Sequence, residues 1–217
     1  IAQQRFIRLL QTYPDDAIDV ATAQQITQAV IDWLDSDSNE QPNGGAEENY
    51  YASLEQPYKP ANRYFVSITE LKQVKGISAD MYRYLSPLLI ALPNKEGFNI
   101  NTAPIELMRT LQQKNIETPL SDEDANLLIS SRPQDNTHEA YQSVNGFLAS
   151  SEANQIFGTD AQQWPKVEGL RTGSEYFILT SMIHLLDYQY QLISVIKRQS
   201  IDTGIITKVL RRTREQL

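Results

Sequence analysis

The hydrophobic pattern of this chain changes near residue 175, and that change limits the fold more than any other feature. Residues 175–186, 189–198 and 205–212 are rich in aromatic and β-branched side chains that partly alternate with polar ones. Asp202-Thr203-Gly204, between the last two segments, is typical of a hairpin turn. We therefore predict three antiparallel strands after a region of helices. This is an α+β arrangement rather than a series of βαβ units.

The region before residue 175 is predicted to be helical from its spacing and its capping residues. A first helix runs to Tyr13, ahead of Pro14, and a second begins near Asp16 or Asp19. Residues 35–51 contain two glycines, a proline and three asparagines, which predict a loop. Short helices follow, including a patch at residues 147–157. The predicted N-caps are Ser67 (in a capping box with Glu70), Ser78, Thr102 and Ser121.

Charge and missing residue types exclude several classes of function. The 27 acidic and 19 basic side chains give a net charge of −8, whereas most nucleic-acid binders carry a basic surface. Cysteine is absent, which excludes disulfides, thiol nucleophiles and cysteine metal sites. The two histidines, His138 and His184, are too far apart in the sequence to suggest a shared site. No nucleophile elbow, phosphate loop or dinucleotide fingerprint is present, so we predict a protein that is not an enzyme.

The chain contains no apolar run near the ~20 residues that would span a bilayer. It opens at Ile1 without a methionine, and its first ten residues have the pattern of the middle of an amphipathic helix. We therefore expect an upstream segment.

The loop at residues 35–51 is the strongest candidate for a binding site. Asp35, Asp37 and Asn39 place oxygen-bearing side chains at every second residue, and Glu47 and Glu48 add two carboxylates at the other end of the loop. Calcium binds six to eight oxygen ligands, and a divalent cation relieves the repulsion between clustered carboxylates. The spacing departs from an EF-hand, because Glu40 stands where that loop has glycine. The sequence therefore predicts a structural calcium site of another type.

Two motifs in the helical region resemble helix-hairpin-helix modules, which bind phosphates through backbone N–H groups. They are Val74-Lys75-Gly76-Ile77 and Asn99-Ile100-Asn101-Thr102-Ala103-Pro104. A DNA-binding hairpin requires two close glycines, and the first motif has Gly76 alone. We favour a helical scaffold without phosphate binding, and nucleic-acid binding of the DNA-uptake type is the alternative function.

Several further motifs, in order along the chain, resemble the minor pseudopilin K family of type II secretion systems. They include Asp32-Trp33-Leu34-Asp35-Ser36-Asp37, Gly45-Ala46-Glu47-Glu48-Asn49-Tyr50-Tyr51 and Pro57-Tyr58-Lys59-Pro60-Ala61-Asn62-Arg63. The motifs around Gly76 and Asn101 fit the same family, and the three C-terminal strands fit a pilin sheet. The resemblance covers nearly the whole chain.

The resemblance implies a pilin-like body, in which an N-terminal helix packs on the antiparallel C-terminal sheet, with a large helical domain of helix-hairpin-helix (SAM-like) type inserted. The implied parts are residues 1–66 (pilin-like helix, second helix and calcium loop), 67–165 (inserted domain) and 166–217 (sheet). It also implies calcium ligands at Asp35, Asp37, Asn39, Glu47 and Glu48.

In function, the resemblance implies a subunit that caps the tip of the pseudopilus with minor pseudopilins I and J. The domain would face the periplasm of a Gram-negative bacterium. It would be anchored in the inner membrane only by a hydrophobic N-terminal helix that this chain lacks. A third interpretation, a calcium-dependent hydrolase, finds no candidate nucleophile in the sequence.

Overall fold

The computed structural model describes residues 1–14, 18–92, 96–113, 115–132, 140–185, 188–201 and 204–216. Within these residues the chain divides into two compact units, residues 1–172 and 173–217. The regular structure of the first unit consists mainly of helices, and the second unit is an antiparallel sheet. The predicted α+β class is therefore confirmed.

The helical unit is built from short helices whose caps follow the sequence signals. The α-helices are α1 (Ala2–Leu10), α2 (Val20–Leu34), α3 (Glu48–Ala52), α4 (Ala79–Leu85), α5 (Ile105–Arg109), α6 (Asp122–Ser130), α7 (Val144–Leu148) and α8 (Ser151–Phe157), with a 3₁₀ helix at Ile68–Gln73. Of the predicted N-caps, Ser67 closes its capping box with Glu70, and Ser78 and Ser121 accept bonds from Met81 N and Asp124 N. Asp19 caps α2, whereas the alternative start at Asp16 lies outside the described residues.

Three local predictions are wrong. Thr102 does not cap a helix, because residues 99–102 form a turn and Pro104 is the N-cap of α5. The patch at residues 147–157 contains parts of two helices, separated where Ser150 caps α8. The loop predicted to extend to residue 51 ends earlier, because α3 begins at Glu48. Burial of Tyr51 stabilises this five-residue helix, which would not form alone.

Two hydrophobic cores lie within residues 1–172. The first joins α1, α2, α3 and α4 around Leu10, Trp33 and Leu85, and the second joins α5 to α8 around Met108 and Phe147. Two short parallel strands, β1 (Phe98–Asn99) and β2 (Leu170–Arg171), close the second core. Packing of the first helix on the C-terminal sheet stays a prediction, as does the division at residues 66 and 165.

Residues 173–217 form a three-stranded antiparallel sheet in the order β3 (Tyr176–Leu185), β4 (Tyr188–Ile201), β5 (Gly204–Gln216). The register pairs Phe177 with Ile196 and Ile196 with Val209. The β4–β5 register shifts between Val195 and Ile196, which leaves Leu210 of β5 without a partner residue in β4. The predicted three strands are therefore confirmed. Neighbouring residues of β3 point to opposite faces, and both Phe177 and Ile178 are exposed apolar side chains, so neither face of this sheet is purely polar.

No helix among the described residues has both the length and the hydrophobicity to cross a membrane.

Candidate metal centre

Two buried aromatic residues hold the ends of the acidic loop together. Trp33, in the last turn of α2, and Tyr51, in α3, are 2% and 0% exposed, and their rings meet edge to face at 5.3 Å. An edge-to-face pair stabilises the fold by more than its buried area alone, because the ring quadrupoles attract each other. Asp35 follows the first ring in sequence and Glu47 precedes the second, so the contact draws their carboxylates toward one place.

Asp35, Asp37 and Glu47 form a cluster of carboxylates in which one oxygen from each lies within 4.8 Å of the others. Two ligands on opposite sides of a calcium ion are separated by about 4.6–5.2 Å, twice the metal–oxygen distance. The cluster is therefore the right size for a shared cation. Its members differ in exposure, since Glu47 is buried, Asp35 is half-buried and Asp37 is exposed.

Unsatisfied oxygens distinguish this cluster from an ordinary acidic surface. Both carboxylate oxygens of Glu47 are buried without a hydrogen-bond partner, and so is Oδ1 of Asp35. A buried polar group without a partner is costly, and an unpaired buried charge is costlier still. A bound cation would satisfy these atoms.

The pKa values of the clustered carboxyl groups also favour a bound cation. Burial, and after it the nearby carboxylates, above all Asp32 and Asp35, raise the pKa of Glu47 to about 7. Burial and the charge of Asp37 also raise the pKa of Asp35. A divalent cation would reverse both effects, because it favours the ionised form of each ligand.

The other two predicted ligands have different surroundings. Asn39 lies beside the cluster, where its backbone N–H and its Nδ2 both donate to Asp37 Oδ1 at 2.8 Å. The exposed carboxylate of Glu48 pairs with Lys59 at 2.7 Å and is not part of the three-carboxylate cluster. The structure thus brings together Asp35, Asp37 and Glu47, and ligand roles for Asn39 and Glu48 stay predictions.

Asn62 is a candidate ligand that the sequence interpretation missed. Its Nδ2 donates to the backbone oxygen of Asp37 at 3.1 Å, while its Oδ1 is buried without a hydrogen-bond partner. The residue adopts a left-handed φ of 44°, which asparagine tolerates better than most residues. The only signal in the sequence was its place in the motif at residues 57–63, where nothing indicated a contact with Asp37.

Asp32 organises the loop from inside the protein without joining the cluster. Its fully buried carboxylate accepts hydrogen bonds from Gln41 N at 3.1 Å and from Ala46 N at 2.6 Å. Gly45 must be glycine at this point, because a Cβ would collide with Asp32 Oδ2 and the backbone of Gln41. Asp32 therefore fixes the chain just before Glu47.

The donor set fits calcium. Apart from Nε1 of Trp33, a donor that cannot bind a cation, the buried atoms without partners at the site are carboxylate or amide oxygens, which are the ligands of hard cations. No sulfur or imidazole lies among the residues of the cluster. Asp35, Asp37 and Glu47 would hold the ion, with Asn62 as a further oxygen ligand. The ion would supply the positive charge that the cluster lacks.

Comparison with known proteins identifies the family. Residues 1–94, which contain the whole candidate centre, match the family model described as type II secretion system (T2SS), protein K. A type II secretion system protein K from Pectobacterium carotovorum subsp. carotovorum is 32% identical over 182 residues, covering 82% of this chain and 54% of the relative. The chain belongs to the protein K family.

Other members of the protein K family show the same relationship. The protein K of Aeromonas hydrophila is 40% identical over 113 residues, covering 52% of this chain and 34% of the relative. That of Pseudomonas aeruginosa is 28% identical over 201 residues, covering 90% of this chain and 52% of the relative. The chain therefore spans about half the length, or less, of these protein K relatives.

A solved structure has the same fold. The crystal structure of the GspK–GspI–GspJ complex from the type 2 secretion system of enterotoxigenic Escherichia coli matches with a TM-score of 0.75 at 22% identity. The match covers 99% of this chain and 70% of the solved one. At this identity the match establishes the protein K fold of the present chain.

Proposed function

We propose that this chain is part of a minor pseudopilin that caps the tip of the type II secretion pseudopilus together with minor pseudopilins I and J. Membership of the protein K family carries this proposal. The fold supports it, because GspK, which this chain matches over 99% of its length, was solved in complex with GspI and GspJ. The proposed role is structural rather than enzymatic, as membership of the protein K family of the secretion system implies.

The finer architecture belongs to the same proposal. The chain would supply the inserted helical domain and the closing sheet of a pilin-like body that faces the periplasm. A hydrophobic helix elsewhere in the full-length protein would anchor it in the inner membrane.

We further propose that calcium binds at Asp35, Asp37, Glu47 and Asn62 as a structural ion. The observation that carries this is the buried, unpaired carboxylate of Glu47 within 4.8 Å of two other carboxylates. The ion would hold the loop against α3, and so stabilise the surface that residues 35–62 present.

The alternative, phosphate-dependent nucleic-acid binding, has no support. Gly76 adopts a φ of 84°, and a Cβ there would lie 2.8 Å from Ile26 Cγ1, so the glycine is required for the turn and for packing. The side chain of Lys75 donates to two backbone oxygens instead of projecting freely. The net charge of −8 also opposes binding to a polyanion.

Light scattering after mixing this chain with the soluble domains of minor pseudopilins I and J tests the tip role. A complex with one copy of each is expected in calcium and is expected to weaken in a chelator. No complex in either condition would overturn the tip assignment for this domain. Glu47→Gln should behave in calcium as the wild type does in chelator, whereas Glu55→Gln, which changes an exposed carboxylate outside every predicted ligand set, should behave as wild type.

A further inference from the structure

Lys75 contacts the acidic loop at the carbonyl groups of two adjacent glycines. Its Nζ donates to the backbone oxygens of Gly44 at 3.3 Å and Gly45 at 3.0 Å, and it lies 4.8 Å from the centre of the Tyr50 ring. Its backbone N–H donates to the hydroxyl of Tyr51 at 3.3 Å. Lys75, which lies in the turn after the 3₁₀ helix, therefore bonds both to the end of the acidic loop and to α3, the helix that follows the loop.

The segment that Lys75 holds contains the two adjacent glycines of the loop. Gly44 has a φ of 127°, and the neighbouring Gly45 has no Cβ to restrict it. Asp32 fixes the N–H groups of Gln41 and Ala46, and Lys75 fixes the carbonyl oxygens between them. Rotation of either glycine peptide would move Glu47, the next charged residue along the chain.

We propose that Lys75 is a positioning residue for the calcium centre, which it serves by locking the Gly44 and Gly45 carbonyls so that the carboxylate of Glu47 stays beside Asp35 and Asp37. This inference rests on the calcium centre proposed above. Among the residues that the structure describes, the ammonium of Lys75 contacts the two glycine carbonyls and the Tyr50 ring, and none of the three clustered carboxylates. It acts through the backbone, as residues outside the ligand shell commonly do in metal sites.

The proposal predicts the direction in which calcium affinity changes when Lys75 is replaced. Lys75 is a cation close to a site for another cation, so by charge alone its removal would strengthen calcium binding. If Lys75 positions Glu47, its removal weakens calcium binding. The two accounts predict opposite shifts in the same dissociation constant.

The test is calorimetric titration of the 217-residue chain with Ca²⁺ alone, at a temperature well below the unfolding transition. Lys75→Met is expected to weaken binding about tenfold, the lower end of the range for residues that orient metal ligands. Lys72→Met is the matched control: it removes the same charge three residues away, where the ammonium lies 4.5 Å from the centre of the Tyr82 ring. Binding by this control should be unchanged or slightly tighter.

Each outcome separates the two proposals. Wild-type protein that binds no Ca²⁺ would overturn the calcium centre itself. Wild-type protein that binds, with Lys75→Met equal or tighter, would overturn the positioning role and leave the centre in place. If the role of Lys75 is purely structural, Lys75→Met lowers the melting temperature of the calcium-free protein without changing the dissociation constant for calcium.

If Lys75→Met does not fold, Lys75→Gln replaces it. This variant, with its shorter and neutral side chain, should bind calcium at least about threefold more weakly than the wild type. Wild-type affinity would contradict the proposal.

Discussion

The buried carboxylate of Asp32 accepts a hydrogen bond from the backbone N–H of Ala46 at 2.6 Å, across fourteen positions of sequence. This bond joins the last turn of α2 to the residue immediately before Glu47. Glu47, a proposed ligand at the far end of a glycine-containing loop, is thereby tied to the helix that leads to Asp35 and Asp37. The cluster is held together by backbone contacts as well as by any ion it binds.

Asp32→Ala should destabilise the protein in calcium-free buffer, because it leaves the N–H groups of Gln41 and Ala46 without their partner. The expected loss in the free energy of unfolding is about 2–4 kcal/mol, measured by urea denaturation. Glu55→Ala, at an exposed position, is the control and should change stability by less than about 0.5 kcal/mol. Equal stability of the two variants would show that the Asp32 bonds contribute little.

Glu47→Gln should have opposite effects in the two calcium conditions. In chelator the melting temperature should rise by about 2–4 °C, because the change removes a buried charge that neighbouring carboxylates repel. In calcium the variant should lose the stabilisation that the wild type gains. Thermal unfolding with and without Ca²⁺ measures both effects, and Glu55→Gln, at an exposed position outside the predicted ligand sets, is the control. A lower melting temperature of the Glu47 variant in chelator would contradict the electrostatic argument.

The calcium-free protein should lose stability as the pH rises from about 5 to 8. Glu47 has an ordinary pKa of 4.5 when unfolded and one of about 7 when folded. The folded state therefore binds more protons between these values, and stability falls across that interval and stays low above it. The raised pKa values of Asp32 and Asp35 act in the same direction. Urea denaturation in chelator at several pH values should show a steeper fall for wild type than for Glu47→Gln, and equal slopes would exclude Glu47 as the source.

Arg8→Met should destabilise the helical unit by about 2–4 kcal/mol, because Arg8 is a buried connection between distant segments. Arg8 is 4% exposed, and its guanidinium donates to Thr110 O at 2.9 Å and to Ile116 O through two nitrogens. The substitution leaves those carbonyl oxygens without this donor. Arg83→Met is the control, since Arg83 is exposed and pairs with its helical neighbour Asp80. Urea denaturation should separate the two variants clearly.

Capping residues and strand patterns were predictable because they depend on neighbours in sequence. Ser67, Ser78 and Ser121 cap their helices by bonding to N–H groups two or three residues away, and the three final strands follow from alternation and a turn signal. Thr102 is not a cap, because its backbone N–H and that of Ala103 donate to Asn99 O in a turn. The helix begins after this turn, with Pro104 as its N-cap.

For the candidate centre, the sequence alone determined the kind of ligand: paired carboxylates at the two ends of one glycine-rich loop, suited to a hard divalent cation. It could not determine which of the five residues would meet. Glu47 and Glu48 are adjacent and chemically alike, yet burial of Tyr51 against Trp33 sets the start of α3 so that Glu47 is enclosed and Glu48 faces Lys59. Asn62 and Lys75 reach the loop from 25 and 30 positions away along the chain. Such contacts depend on how helices pack around a core, and only the tertiary structure decides that.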